Sequence, residues 1–237
     1  MKQYTFYFYY ILALYIYLYN PVIKAFGFGT IKLLWIPALL FTLMDNSIRL
    51  LLKKFNVELI IITITTIYLL ILAPRNPPTH LTAVYSQIVW IIECIVLPYY
   101  FIITLNKYDK NTDITKIIIA TGIISSVFSI YLLFNPELNF YIKDEIIIDP
   151  LSEKMHDVFV QHRGFSIAEG STFSYPITNS IIFIICLLYF DRYALSKFSI
   201  LPLLISVAIN ARIGFLIIGT GFVFLLVTRR ISFSVVL

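Results

Sequence analysis

Charge is what this chain has least of. Asp, Glu, Lys and Arg make up 13% of its 237 residues, against about 25% in soluble domains. Glycine and cysteine are also sparse, at eight and two residues. Two cysteines, Cys94 and Cys186, each inside an apolar run, exclude a disulfide framework and read as small core residues. No glycine-rich phosphate loop and no serine nucleophile elbow occur, so the common nucleotide-binding and hydrolase motifs are absent. Of the three histidines, His156 and His162 lie six apart with Asp157 between them, a spacing that fits no zinc pattern. No metal and no cofactor is expected.

What fills the chain instead is apolar. The hydrophobic fraction is 59%, with 20 Phe and 17 Tyr, and a water-soluble fold of this length cannot hide so much apolar surface. Runs near 4–19, 29–44, 57–73, 83–105, 116–134, 176–190, 198–210 and 213–228 predict an all-α, polytopic membrane bundle of about eight spans. Residues 1–237 then form a single membrane domain. Met1–Lys2 with its aromatic run lacks a small-residue cleavage site and reads as an uncleaved first span. The aromatics of that run are too evenly spread to make one interfacial belt. Pro37, Pro98 and Pro202 fall inside runs, which membrane helices tolerate.

The basic residues orient this bundle. With the N-terminus inside, the cytoplasmic segments carry Lys2, Arg49, Lys53, Lys54, Lys107, Lys110, Lys116, Arg192, Lys197, Arg229 and Arg230, eleven in all. The short outside segments carry four, namely Lys24, Lys32, Arg75 and Arg212. This split follows the positive-inside rule and predicts that both termini are cytoplasmic. It also explains the net charge of +5 without nucleic acid, because the cations flank spans instead of forming one patch.

One polar stretch interrupts the apolar pattern. Residues 135–176 hold seven of the thirteen acidic residues, two of the three histidines and Arg163. By the charge count this is one long extracytoplasmic loop, on the same side as the tight turn Asn210–Ala211–Arg212. Lys143–Asp144–Glu145 and Glu153–Lys154 read as solvated faces of short amphipathic segments, with Ile146–Ile147–Ile148 resting on lipid.

Two constellations stand out. His162–Arg163–Gly164–Phe165 is followed by Ala168–Glu169–Gly170–Ser171, just ahead of a span. Arginine offers a fork of donors that suits phosphate, and the glycines permit close backbone approach. Alone, this reads equally as a solvated loop with an incidental ion pair. The other is Ile209–Asn210–Ala211–Arg212–Ile213–Gly214, set between two apolar runs. A cation at such a helix break needs a partner or water, and the next helix N-terminus adds an anion-attracting field. Its plainer reading is an arginine that snorkels to anchor a helix end. Glu93, mid-way along the fourth run, fits a polar contact between helices as well as a function. Glu58 is expected to pair with Lys54 at a span end.

The two arginine motifs on one face resemble the O-antigen polymerase and O-antigen ligase group of bacterial polysaccharide-assembly membrane proteins. The resembling residues are Arg163–Gly164–Phe165 with Glu169–Gly170–Ser171, and Asn210–Ala211–Arg212–Ile213–Gly214, within residues 117–230. The resemblance implies an inner-membrane polymerase that joins glycan repeat units carried on polyprenyl diphosphate. Arg163 and Arg212 would hold the diphosphate, Glu169 or else His162 would take the acceptor proton, and Gly164, Gly170 and Asn210 would line the substrate. The partners implied are the lipid-linked oligosaccharide, membrane lipid, and chain-length regulator and flippase proteins. Members of the group usually have ten or more spans, so the chain is expected to be a truncated member. A ligase, a transporter or flippase of lipid-linked sugars, and a non-catalytic scaffold are the alternatives. A transporter would place paired polar groups deep in several spans, where the sequence offers only Glu93.

Overall fold

An apolar chain must pair its backbone N–H and C=O groups with each other, and the helix does so within one segment. In the computed structural model the residues described are 2–44, 53, 56–72, 77–146, 165–166, 174–210, 212–228 and 230. They are mostly helical. Helix α1 is Lys2–Tyr19, and strands β1 (Val22–Ile23) and β2 (Phe28–Gly29) form a short antiparallel pair. A 3-10 turn, Thr30–Leu34, leads into α2 (Trp35–Met44), followed by α3 (Asn56–Leu72). Helix α4 (Pro77–Ile91) continues through a π-helical stretch, Ile92–Val96, into α5 (Leu97–Tyr108). Then come α6 (Ile114–Phe134), α7 (Pro136–Tyr141) with a π-helical extension Ile142–Ile146, α8 (Ser174–Leu188), α9 (Ala194–Asn210) and α10 (Ile213–Val227).

Two helical stretches are long and apolar enough to cross a membrane, Val84–Tyr108 and Ile114–Phe134. At 1.5 Å per residue they extend about 37 and about 31 Å, against a hydrocarbon core of about 30 Å. The other apolar helices are shorter. The π-helical stretch precedes Pro98, whose ring crowds the Cys94 carbonyl and whose nitrogen has no proton to offer it. Widening the turn there relieves both conflicts.

The structure departs from the sequence reading in four places. The β pair is a small addition to an all-α pattern. The polar stretch is not loop throughout, because residues 136–146 are helical and Ser174 already belongs to α8. Pro136 starts that helix, and Asn135 before it is kept out of the helical region, at φ −129° and ψ 70°. Lys143, expected on a solvated face, is buried; its long stem covers apolar surface more readily than a compact charge would. Cys186 is buried as expected, whereas Cys94 is exposed on the helix surface.

By their contacts the described residues group in two compact units, residues 1–31 with 113–237, and residues 32–112. In the first, Tyr19, Ile119, Tyr175, Ile182, Phe183, Cys186, Leu187, Leu203 and Leu225 form the core. Close approach of helices depends on small residues, as is usual where lipid gives no hydrophobic drive. A methyl on Gly214 would lie 3.1 Å from the Pro176 carbonyl oxygen and 2.7 Å from Ser180 Oγ. One on Gly122 would lie 2.8 Å from Ile182. Tyr19 meets Asn179, Ser125 meets Tyr175, Ser129 meets Asn210, and Ser180 meets Gly214. These contacts fix helix directions. Helices α1, α6 and α9 run one way, and α8 and α10 run the other. The end of α10 therefore lies at the same end of this unit as the start of α1.

Candidate functional site

Helix α9 ends on Asn210, and α10, running the other way, opens at Ile213. Ala211 lies outside the described residues. Arg212 occupies the N-cap position of α10, at φ −66° and ψ −25°, and its carbonyl accepts from Phe215 N at 3.1 Å. Its side chain is exposed, and no described residue pairs with it. The first turn of α10 sets the positive end of the helix dipole beside that guanidinium. An exposed arginine at a helix N-terminus is a ready anion site.

What holds this turn in place is buried and neutral. Asn210 is fully buried, and its Nδ2 donates to Ser129 Oγ at 2.9 Å and to the Ser206 carbonyl at 2.7 Å. The Ser206 carbonyl only accepts, which fixes which end of the amide carries the protons. Asn210 Oδ1 has no partner among the described residues. One turn deeper, Ser206 Oγ lies 3.1 Å from Ser126 Oγ and accepts from Asn179 Nδ2 at 2.8 Å. Tyr19 donates to Asn179 Oδ1 at 2.6 Å, and Tyr175 donates to the Ser125 carbonyl at 2.9 Å. Four helices (α1, α6, α8 and α9) are thus tied by hydroxyls and amides, with Tyr19 and Tyr175 rings 5.3 Å apart. Sequence reasoning missed this cluster. The signal was the spacing Ser125, Ser126 and Ser129 with Asn179 and Ser206, small polar residues that glue helices in an apolar surrounding.

The second motif is described only in part. His162, Arg163, Gly164, Glu169 and Gly170 lie outside the described residues, as do Lys54 and the side chains of Glu58 and His80. Phe165 and Ser166 are described and buried. Phe165 packs in a cluster with Leu132 and Ile142, and Ile209 packs against the same cluster. The residue after Gly164 and the residue before Asn210 therefore meet at one apolar cluster. Glu93, the other candidate, is half-buried on the π-helical stretch of the second unit. No group of residues able to hold a metal ion occurs among those described.

At the opposite end of the first unit the ionisable groups pair with each other. Asp113 caps α6, accepting from Thr115 N at 2.9 Å, and also accepts from the Tyr193 hydroxyl. Arg192 lies 3.6 Å from the same carboxylate. The Tyr193 hydrogen bond, with the Thr115 N–H and Arg192, holds the Asp113 carboxyl below the usual carboxylate range. Burial, then the Asp113 carboxylate, pushes the Tyr193 phenol up to about 12. The two groups act at opposite pH limits. Asp113 stabilises the fold above its ordinary pKa of about 4, and this is lost as pH falls toward its lowered value. Tyr193 stabilises at pH 10 and below, and that contribution is lost as pH rises toward about 12. Asp113→Asn keeps the helix cap but removes the titration. Its thermal unfolding in detergent is expected to be flatter than wild type between pH 5 and pH 3; parallel curves would contradict the assignment.

Comparison with protein-family models, with curated proteins and with solved structures finds no match.

Proposed function

We propose that the chain is a multi-pass bacterial inner-membrane polysaccharide polymerase, acting at the membrane face that carries Arg212. The supporting observation is the convergence at Phe165. Covalent geometry limits Arg163 Cα to within about 7 Å of Phe165 Cα, and Ile209, three residues before Arg212, packs on the Phe165 cluster. In this reading Arg163 and Arg212, from distant parts of the chain, serve one small region of surface. Two guanidinium forks suit a diphosphate.

In the reaction proposed, an acceptor hydroxyl oxygen attacks the anomeric carbon of a polyprenyl-diphosphate-linked glycan. The carbon–oxygen bond to the diphosphate breaks, and the lipid diphosphate leaves with the electron pair. Arg163 and Arg212 stabilise the charge that develops on it, more in the transition state than before. Glu169 takes the hydroxyl proton, with His162 as second choice. Gly164 and Gly170 give the substrate room, and Asn210 braces the arginine turn through its bonds to Ser129 and the Ser206 carbonyl. Lipid and the lipid-linked oligosaccharide are the ligands. Chain-length regulator and flippase proteins are the partner classes.

In this reading both termini are cytoplasmic and eight spans are counted. Within the first unit α1 and α6 point the same way, so the chain between them must cross an odd number of times. Three crossings in residues 32–112 satisfy this, and the eleven-to-four charge split chooses the side. Asp191 is exposed between α8 and α9, and Lys24 is exposed beyond α1. Cysteine at Lys24 or at Ser152 is expected to react with an impermeant thiol reagent in intact cells, and cysteine at Asp191 is not. The reverse pattern would overturn the topology and the site with it.

The buried cluster of Tyr, Ser and Asn is the one observation that favours a transporter, since it puts paired polar groups inside several helices. Those groups are packed and hydrogen-bonded to each other, as in helix glue, and none is ionised. Gene deletion followed by gel analysis of surface glycan separates the readings. Loss of a polymerase leaves single repeat units on the surface lipid, loss of a ligase leaves none, and loss of a scaffold alters only the length distribution.

A further inference from the structure

The end of the first unit remote from Arg212 carries a groove that the glycan site does not use. It encloses about 500 Å³ and is lined by Leu188, Tyr189, Phe224, Leu225 and Arg230. Leu225 is its buried floor, at 3% exposure, whereas Phe224 at 65% and Leu188 at 43% face outward. Helix α10 stops at its rim: Thr228 N donates to the Phe224 carbonyl at 3.0 Å, and Arg230 N donates to the Leu225 carbonyl at 2.9 Å. That second bond turns the chain back over the helix end and sets Arg230 at the lip. Its side chain is exposed, with no ion pair among the described residues.

Three described cations of this end are otherwise engaged. Arg192 shares the Asp113 carboxylate at 3.6 Å. Lys116 lies over the Tyr193 ring and Lys197 over the Phe190 ring, each at 5.1 Å. Among the described residues of this unit, the acidic groups at the same end are Asp113 and the exposed Asp191, against Arg192, Lys116, Lys197 and Arg230. An apolar trough with one uncommitted arginine at its lip, in a positive field, matches an amphiphile with an anionic head.

We propose that this groove binds an anionic phospholipid, with the phosphate on the Arg230 guanidinium and an acyl chain along Leu188 and Phe224 over Leu225. The guanidinium fork accommodates two phosphate oxygens. A zwitterionic headgroup would bring its ammonium against Arg230 and its neighbours, so net negative lipids are selected. The inference rests on the membrane reading but not on the polymerase chemistry, and binding is measured without any glycan.

The test is native mass spectrometry of the full chain in detergent, titrated with phosphatidylglycerol or with phosphatidylcholine of the same acyl chains. Wild type is expected to retain phosphatidylglycerol in preference. Arg230→Ala should lose about fivefold in retention, the effect of one interfacial cation, and Arg230→Lys should lose less. Lys24→Ala removes the same charge at the other end of the unit and should bind as wild type does. Equal retention by Arg230→Ala and wild type would overturn the site. So would an equal loss in Lys24→Ala, or a wild type that holds both lipids equally.

Discussion

Replacing Arg212 by alanine is expected to cut glycan polymerisation about a hundredfold, the effect of losing about 3 kcal/mol of charge-assisted contact in the transition state. Lysine in its place should restore little, because a point charge cannot make the paired contacts of a planar fork. Arg163 should behave the same way. Arg75, in the segment Pro74–Arg75–Asn76–Pro77–Pro78, has no motif around it and should tolerate alanine. Chain length on gels, at matched membrane abundance, is the readout. Arg212 is exposed and unpaired among the described residues, so its removal should leave the fold intact. Near-normal glycan length in both alanine variants would sink the diphosphate clamp.

The largest effect on stability is expected at Asn179. Its amide joins Tyr19, Ser206 and Ser126 across three helix interfaces, and the residue is fully buried. Asn179→Leu keeps the branched shape but leaves the Tyr19 hydroxyl without its acceptor and takes one hydrogen bond from the Ser206 hydroxyl, which still donates to the Leu203 carbonyl at 2.9 Å. Interhelical hydrogen bonds in membrane proteins average about 0.6 kcal/mol, and each orphaned buried group adds about 1 kcal/mol or more. A loss of about 3 kcal/mol follows, read as a lower unfolding temperature in detergent. Tyr19→Phe removes the orphaned hydroxyl, so the double variant Tyr19→Phe/Asn179→Leu should be less destabilised than the sum of the two. Strict additivity would show that the network does not act as a unit.

The uneven legibility of this fold in its sequence has physical causes. Eight apolar runs stand out because unbroken apolarity over a helix length is a one-dimensional property, and each run is mostly helical where it is described, the second beginning at its edge in strand β2. Helix α7 was hidden because Glu137, Lys143, Asp144 and Glu145 make it resemble loop, and hydropathy cannot see a polar helix. The β pair is two residues per strand, below any periodic signal. Ser126, Asn179 and Ser206 look unremarkable one at a time; only helix packing puts them on one shared face. The Asn210–Arg212 turn was legible, because a charge between two apolar runs has few places to go. That Phe165 would anchor the first motif near Ile209 was not, since an aromatic beside a loop glycine has no preferred partner in sequence.

The proposed chain growth from a lipid diphosphate at the face bearing Arg212 is tested most directly with the purified protein in proteoliposomes, given polyprenyl-diphosphate-linked oligosaccharide and followed for glycan length and free polyprenyl diphosphate together. Longer glycans are expected, with one lipid diphosphate released per bond formed, and neither product in Arg212→Ala. Transfer of the lipid-linked oligosaccharide across the bilayer with no glycan growth would contradict it.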